Sequence, residues 1–333
     1  MSVPYMLFSW VPKFFYSQFF ITPPKPTQDC TGKTIIVTGA NVGLGKEAAR
    51  HFVRLNAEKV ILACRSIEKG EAAKKDIEGS AKRPGVVEVW PLDLGSYESV
   101  KQFAERARTL KRLDGVVENA GMLTDKFALL EGNESTITVN VVSTFLLALL
   151  LLPKLREVAG EFNTAPTIAV VSSELHMVTT FPERKAPSIF AALNNEKEAR
   201  MSDRYNLSKL LEVFACREIA RRLSENRIPV TINALNPGFC HSELTRENNN
   251  IGVRVFKRLI ARTTEVGGRT LVHAGLGGKE TSGRYLNNCQ VTPAAPLVEG
   301  REGPAVQEKV WKELAAKLEE IQPGILKALE RRA

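Results

Sequence analysis

Along this chain, short runs of apolar and β-branched residues alternate with longer stretches in which apolar positions return at helical spacing. The runs cover 34–38, 59–63, 86–90, 115–118, 167–171 and 230–235. A strand that is apolar at consecutive positions needs cover on both faces, so the alternation predicts a parallel sheet between two layers of helices. No proline-rich or serine-rich linker and no internal repeat interrupts it, and a single α/β domain is expected over 30–300. An aromatic extension, 1–29, precedes that domain. A tail, 301–333, follows it, with Val310, Leu314 and Leu318 at helical spacing, and the insertion at 174–204 carries no assignable motif.

Two further apolar stretches bear on the setting of the domain. Residues 1–22 are rich in Phe, Tyr and Trp, but Pro4, Pro12 and Lys13 interrupt them. The runs that remain fall short of the roughly 20 residues a bilayer needs, and neither a basic start nor a small-residue cleavage site is present. A flap packed on the domain is therefore expected, with an interfacial membrane anchor as the alternative. The run 141–152 is also short for a span, and its place after Asn140 makes it a core-facing or subunit-facing helix, which leaves a homo-oligomer open.

Candidate chemistry starts where the first run ends. Residues 34–38 lead into Gly39, Gly43 and Gly45 and then into a helical stretch, 46–55. Glycines there let the backbone approach a pyrophosphate, and the helix offers unpaired amides and the positive end of its dipole. Gly39, Asn41, Gly43, Leu44 and Gly45 are thus the candidate cradle for a dinucleotide. A tight connection without a ligand would use the same glycines, and the lysine of a triphosphate-hydrolysing loop is misplaced. Farther along, Tyr205 and Lys209 stand one helical turn apart, close enough for an ammonium to sit near a phenol. A phenol titrates at about 10, and a nearby cation draws that value toward the working range of an acid–base catalyst. Such pairs also occur by chance on exposed helices; the serine pair Ser172 and Ser173 upstream gives this one weight.

With Asn119-Ala120-Gly121 and Pro237-Gly238 in the matching order, the chain resembles the short-chain dehydrogenase/reductase family over most of its length. Residues 63–66 and the long gap between Ser173 and Tyr205 resemble the branch of retinol dehydrogenases and WW-domain oxidoreductases, although no WW segment is present. The chain is also similar to reductases of filamentous-fungal biosynthesis. The resemblance implies a Rossmann-type doubly wound parallel sheet and interconversion of a carbonyl and an alcohol with a nicotinamide cofactor. It implies Tyr205 as the proton carrier, Lys209 as the cation that lowers its pKa and bonds the ribose, Ser173 as the donor to the carbonyl oxygen, and Asn140 as the holder of a water beside the lysine. Ser173 rather than Ser172 takes the catalytic place because the family puts it second in such a pair. Asp93 matches an adenine contact, with a helix N-cap as its other reading. Asn119 and Ser242 match further cofactor contacts, and 239–265 matches the substrate lid, with a basic amphipathic helix over 253–262. The chain departs from the pattern at Glu118, where many relatives carry asparagine, and at Ser242, where threonine is more usual but the hydroxyl is kept.

The end of the second run bears on the choice of nicotinamide cofactor. An acidic residue there would accept from the ribose hydroxyls of NAD and repel a 2′-phosphate. Residues 62–66 instead read Leu-Ala-Cys-Arg-Ser. Arg65 can clamp the phosphate through its planar fork and Ser66 can donate to it, so NADP(H) is the expected cofactor. A merely solvent-facing Arg65 is the alternative.

Composition changes the picture little. The net charge of +9 invites a nucleic-acid reading, but the basic residues are scattered beside glutamates without aromatic interleaving, and no nucleic-acid partner is expected. Five cysteines without paired spacing and four histidines without ligand spacing predict neither disulfides nor a metal, and a cytoplasmic setting with peripheral membrane association left open. Phe239, Leu244 and Phe256 in the lid region predict an apolar ketone, aldehyde or alcohol as substrate, drawn from secondary metabolism or, at a membrane surface, from retinoid-like or lipid-like alcohols. A cofactor-binding regulator without turnover is the other class of function, since fold does not fix function.

Overall fold

The computed structural model describes residues 3–241, 244, 258 and 260–331, with side chains from Trp10 onward. The expected runs become β1 (Thr34–Thr38), β2 (Lys59–Cys64), β3 (Val87–Pro91) and β4 (Gly115–Glu118). After a small hairpin of β5 (Leu129–Leu130) and β6 (Asn133–Glu134) come β7 (Thr167–Val171), β8 (Thr231–Asn236), β9 (Tyr285–Asn287) and β10 (Gln290–Thr292). Eight of them form one sheet in the order β10-β9-β8-β7-β4-β1-β2-β3. The sheet is parallel, as read from the sequence, except at one edge, where β10 pairs antiparallel with β9. These two strands meet through Asn288 and Cys289, both at positive φ, which is the backbone of a tight two-residue hairpin turn. Neither strand is long or apolar enough to stand out as a run.

Alternation along the strands divides the interior into two cores. Ile36, Val116, Ile168 and Val170 face one. Ile35, Val37, Val117 and Ala169 face the other. The second core is closed by α2 (Gly43–Arg54), α3 (Ile67–Ala81) and α9 (Thr264–Gly275) through residues such as Phe52, Ile77 and Leu271. The first is closed by α4 (Tyr97–Arg108), α6 (Thr144–Phe162) and α8 (Met201–Glu225) through Val100, Phe145 and Leu210. A short α5 (Ser135–Ile137) leads into α6 through a π-helical turn, Thr138–Ser143. The continuous stretch Ser135–Phe162 is long and apolar enough to cross a membrane, yet 94% of its most apolar window is buried inside the fold. A helix apolar all round belongs in such an interior, as expected for 141–152.

The segments without motifs pack into the same body. Within 174–204, Phe181 and α7 (Ile189–Leu193) join the first core. The N-terminus of α7 is capped by Glu313, which accepts from Ser188 and from the amides of Ile189 and Phe190. Glu313 lies on α11 (Gly303–Ile321), which follows a short α10 (Pro296–Glu299) and buries Val310, Trp311, Leu314 and Leu318.

At the other end, α1 (Val3–Phe20) differs from the broken segment expected of residues 1–22: it runs through Pro12 as one helix. A proline inside a helix removes one hydrogen bond and clashes with the preceding turn. Ring contacts a turn apart, Trp10 on Phe14 and Phe15 on Phe19, help to hold the helix, and Ser17 and Gln18 are buried against the domain.

Candidate active site

The sheet order reverses direction at β1, with β2 and β3 on one side and β4 and β7 on the other. Ligands bind outside the carboxyl ends of the strands at such a point. Here the glycine turn leaves β1 with Gly39 and Gly43 at φ +63° and +62°. A Cβ on Gly45 would stand 2.5 Å from Asn119 Nδ2 and 2.8 Å from the Gly39 carbonyl oxygen, so the close approach admits only glycine. Asn119 braces this turn: its Nδ2 donates to the Thr38 oxygen at 2.8 Å and to the Gly39 oxygen at 3.3 Å. Thr38 Oγ1 in turn accepts from the amides of Asn119 and Ala120. Asn41 sits half-exposed in the turn, and the Leu44 side chain packs on Gly267 of α9. Val42, which precedes α2, gives no side-chain cap, so the first-turn amides are offered to a ligand.

Beside this cradle, α8 aligns Tyr205 and Lys209 on the face turned to the sheet. The Lys209 ammonium lies 5.5 Å from the centroid of the Tyr205 ring. Ser173, just past β7, brings its side chain close enough to the Tyr205 hydroxyl to pull the phenol's pKa down, and its Oγ accepts from the Leu175 amide at 3.2 Å. Ser172 turns the opposite way: it is buried and donates to the Lys209 carbonyl at 2.9 Å. Asn140 lies in the π turn, where its Oδ1 accepts from the Met122 amide and its Nδ2 donates to the Met122 oxygen and to Ser208. It ties the segment after Asn119-Ala120-Gly121 to α8.

The electrostatics depart from the simple tyrosine–lysine picture. Burial raises the Tyr205 phenol above its ordinary value, Lys209 opposes the rise, and a neighbouring carboxylate, Glu212, adds to it. The expected lowering by the lysine is outweighed chiefly by burial and then by Glu212, which accepts from the ammonium at 2.7 Å while the Val171 oxygen accepts from it at 2.8 Å.

Sequence reasoning missed three neighbours of this cluster. His176 is fully buried; its Nδ1 meets the Ser173 carbonyl at 2.7 Å and its Nε2 accepts from the Ala295 amide at 3.0 Å. That acceptance puts the single ring proton on Nδ1 and makes the ring a neutral strut under Ser173. Glu174 follows Ser173, and burial pushes its carboxyl up to about 6, with Arg262 opposing. Glu212 is almost fully buried. Nothing in the local sequence marks these residues, since each acquires its meaning from partners on other turns or other elements.

The residues expected to make the outer cofactor contacts are placed as follows. Arg65 is exposed at the end of β2, and Ser66 caps α3 by accepting from the Lys69 amide at 3.2 Å. Asp93 accepts from the Gly95 amide at 2.8 Å, while Ser96 rather than Asp93 caps α4. Ser242, Phe256 and most of the basic stretch 253–262 lie outside the described residues. The ends of 239–265, the stretch expected to form a lid, are described, and the N-terminal segment holds both. Gln18 donates to the carbonyls of Phe239 at 2.7 Å and Ile260 at 2.8 Å. The buried Arg262 donates to the carbonyls of Ser17 and Ile21 and to Asn288.

Comparison with known proteins gives the family and the fold. Residues 33–180 match the family model for short chain dehydrogenases. The chain is 51% identical to the short chain dehydrogenase/reductase dmxR8 of Cryptosporiopsis over 318 residues, 94% of this chain and 98% of the relative. It is 48% identical to the short chain dehydrogenase atnD of Emericella nidulans, over 84% of this chain and 91% of the relative. Among solved structures, an uncharacterized protein from Mycobacterium paratuberculosis superposes with a TM-score of 0.66 at 25% identity, over 88% of this chain and 96% of that one. A short chain dehydrogenase from Shigella flexneri complexed with NADP reaches 0.56 at 23% identity, over 80% and 100%, a likeness of fold alone. Half-identical to such a relative nearly end to end, this chain belongs to the short-chain dehydrogenase/reductase family of oxidoreductases.

Proposed function

We propose that the chain interconverts a carbonyl and an alcohol on an apolar small molecule with NADP(H), in secondary metabolism, and that it does so in the cytoplasm. The observation that carries this reading is the meeting of the Ser173 and Tyr205 hydroxyls, with Lys209 a turn away, beside a cradle shaped for a dinucleotide. The residues fit the cofactor. The turn faces open space at Gly43, where an added Cβ would meet no protein atom within 4 Å, α2 presents uncapped amides to a pyrophosphate, and Arg65 stands exposed where a 2′-phosphate would need a cation. In this reading 30–300 is the catalytic domain, 239–265 its lid, and 1–29 and 301–333 its flanking extensions.

Nicotinamide, when bound, supplies or takes the hydride. Tyr205 gives its phenolic proton to the carbonyl oxygen and takes it back in the oxidative direction. Ser173 donates to that oxygen and steadies its developing negative charge, while His176 holds the serine's main chain in place. Lys209 offsets the charge left on the phenolate; two of its three N–H donors are engaged by Val171 and Glu212, which leaves one for a ribose hydroxyl. The Asn140 side chain is taken up by Met122 and Ser208, so a water beside the lysine would rest on its main chain. Phe14 and Phe239, edge to face across α1 and the start of the lid, support an apolar substrate.

The test is to mix the purified chain with NADPH or NADH and a panel of apolar ketones and aldehydes, and to follow nicotinamide absorbance. Consumption of NADPH ahead of NADH is the expected result. A regulator without turnover would bind NADPH and consume none. One observation favours a second setting for the same chemistry. Tyr16, Phe19 and Phe20 on α1 are 61%, 54% and 77% exposed, as an interfacial helix requires, and a membrane-dissolved alcohol would then be the substrate.

A further inference from the structure

Helix α8 carries more than the tyrosine and the lysine on its inward face. Tyr205, Lys209, Glu212 and Cys216 follow one another at helical spacing along it, and the last three are buried. Glu212 Oε1 accepts from Lys209 Nζ at 2.7 Å, with both side chains almost fully shielded from solvent. The second carboxylate oxygen, Oε2, has no hydrogen-bond partner among the described residues. Both oxygens of Glu118, on the end of β4, are also buried without partners. A buried ion pair with an unsatisfied oxygen is a poor way to stabilise a fold, because the desolvation of the charges is not fully repaid by their attraction. An apolar residue at this position would pack at least as well. The pair lies instead where its charge is felt by the group that moves the proton.

We propose that Glu212 is a positioning residue for the Tyr205–Lys209 unit: it draws the Lys209 ammonium toward the floor of the site and, by cancelling part of that cation's field, governs how readily Tyr205 releases its proton. The inference rests on the reading of Tyr205 as the proton carrier. The titratable groups that face Glu212 are Lys209, Tyr205 and Cys216 on α8 and, across Cys216, Glu118 on β4. Ser172, just past β7, donates to the Lys209 carbonyl and completes the polar surroundings.

The consequences have definite signs. Burial pushes the Glu212 carboxyl up to about 7, against the pull of Lys209. The carboxyl therefore changes charge within the working range of the enzyme. When it is ionised, the ammonium's help to a Tyr205 phenolate is offset. When it is protonated, the full positive charge of Lys209 acts on the phenol, and the phenolate becomes easier to form. The three groups consequently titrate as a coupled set rather than one by one.

Glu212→Gln keeps the shape and removes the charge. In the full-length chain, without substrate or cofactor, the ultraviolet tyrosinate signal of Tyr205 is isolated by subtracting the Tyr205→Phe variant in each background. The Gln variant should move that titration to lower pH by about one unit, and the high-pH limb of kcat for carbonyl reduction should move the same way. NADPH affinity should change less than about threefold, because the substitution removes no direct cofactor contact. If Gln compromises folding, Glu212→Asp, which withdraws the carboxylate by one methylene, should give a smaller shift in the same direction. A merely structural Glu212 would lower melting temperature and leave both titrations where they are, and that result overturns the proposal. The two readouts separate the claims: a shifted tyrosinate titration without turnover on any carbonyl sinks the enzymatic reading, whereas turnover with unmoved titrations sinks the role of Glu212.

Discussion

His176 shows how much a single buried ring can contribute beneath a reactive serine. Burial lowers its pKa from 6.5 to about 4, and both ring nitrogens are bonded in the neutral form. Because the folded value lies below the unfolded one, its contribution to stability is complete above pH 6.5 and is lost as pH falls through that value toward 4. A gap of about 2.5 units corresponds to about 3 kcal/mol. The carboxyls of Glu174 and Glu212, raised to about 6 and about 7, slope the other way, losing stability as pH rises from 4.5 through those values. Urea unfolding of wild type and His176→Phe in parallel isolates the histidine. On going from about pH 7.5 to about pH 4, the variant should lose about 3 kcal/mol less than wild type, and equal losses would refute the neutral strut. Arg65 offers a second test at this scale. Arg65→Asp exchanges an exposed guanidinium for a like charge facing a phosphate, and should weaken NADPH by about a hundredfold while leaving NADH nearly unchanged, as read by fluorescence titration. The tyrosine, the lysine and the glycines were legible because their spacing along the chain already implies their geometry. His176 and Glu212 were not, because a histidine or glutamate in a sequence looks the same whether it faces water or supports a serine or a lysine.

Among the elements, α1 changes the view of the lid. The aromatic segment with broken apolar runs is a helix whose Ser17 and Gln18, with Ile21 just past its end, hold Phe239, Ile260 and Arg262. The aromatic content was visible in the sequence, but Pro12 counted only against a membrane span, and the docking surface explains why a helix forms across it. The hairpin of β9 and β10 escaped notice for a different reason: strands of three residues joined by Asn288 and Cys289 leave too little pattern to read. The six longer strands were found within a residue or so: five are buried almost throughout and must be apolar at consecutive positions, while β3, at the sheet edge, keeps Val87 and Trp90 inside. Deletion of 1–22 should leave the sheet and the Tyr205 site folded, since β1 begins at Thr34. It should nevertheless raise KM for an apolar substrate roughly tenfold, through loss of the clamp on both ends of the lid, with kcat less affected. Steady-state kinetics of the truncated chain would show it, and an unchanged KM would mean that α1 is a passive cover. Sedimentation with anionic vesicles separates the roles of its exposed face: wild type pelleting where the truncated chain does not is the outcome expected of an interfacial anchor, and supernatant for both is the outcome expected of a flap.

For the whole molecule, the doubly wound sheet brings residues far apart in sequence to one edge: the turn after β1, Arg65 after β2, Asn119 after β4, Ser173 after β7, and α8 beside them. Two cores, one on each face, hold that edge rigid enough to align two hydroxyls and an ammonium. The account comes down to a proton that Tyr205 delivers as hydride reaches a carbonyl carbon. The most direct measurement compares wild type and Tyr205→Phe for NADPH binding and for NADPH-dependent reduction of whichever carbonyl compound wild type turns over. The variant should bind NADPH as wild type does while kcat falls about a thousandfold, since it deletes the transferred proton and few cofactor contacts. A folded Tyr205→Phe that reduces the carbonyl at close to the wild-type rate would contradict the mechanism.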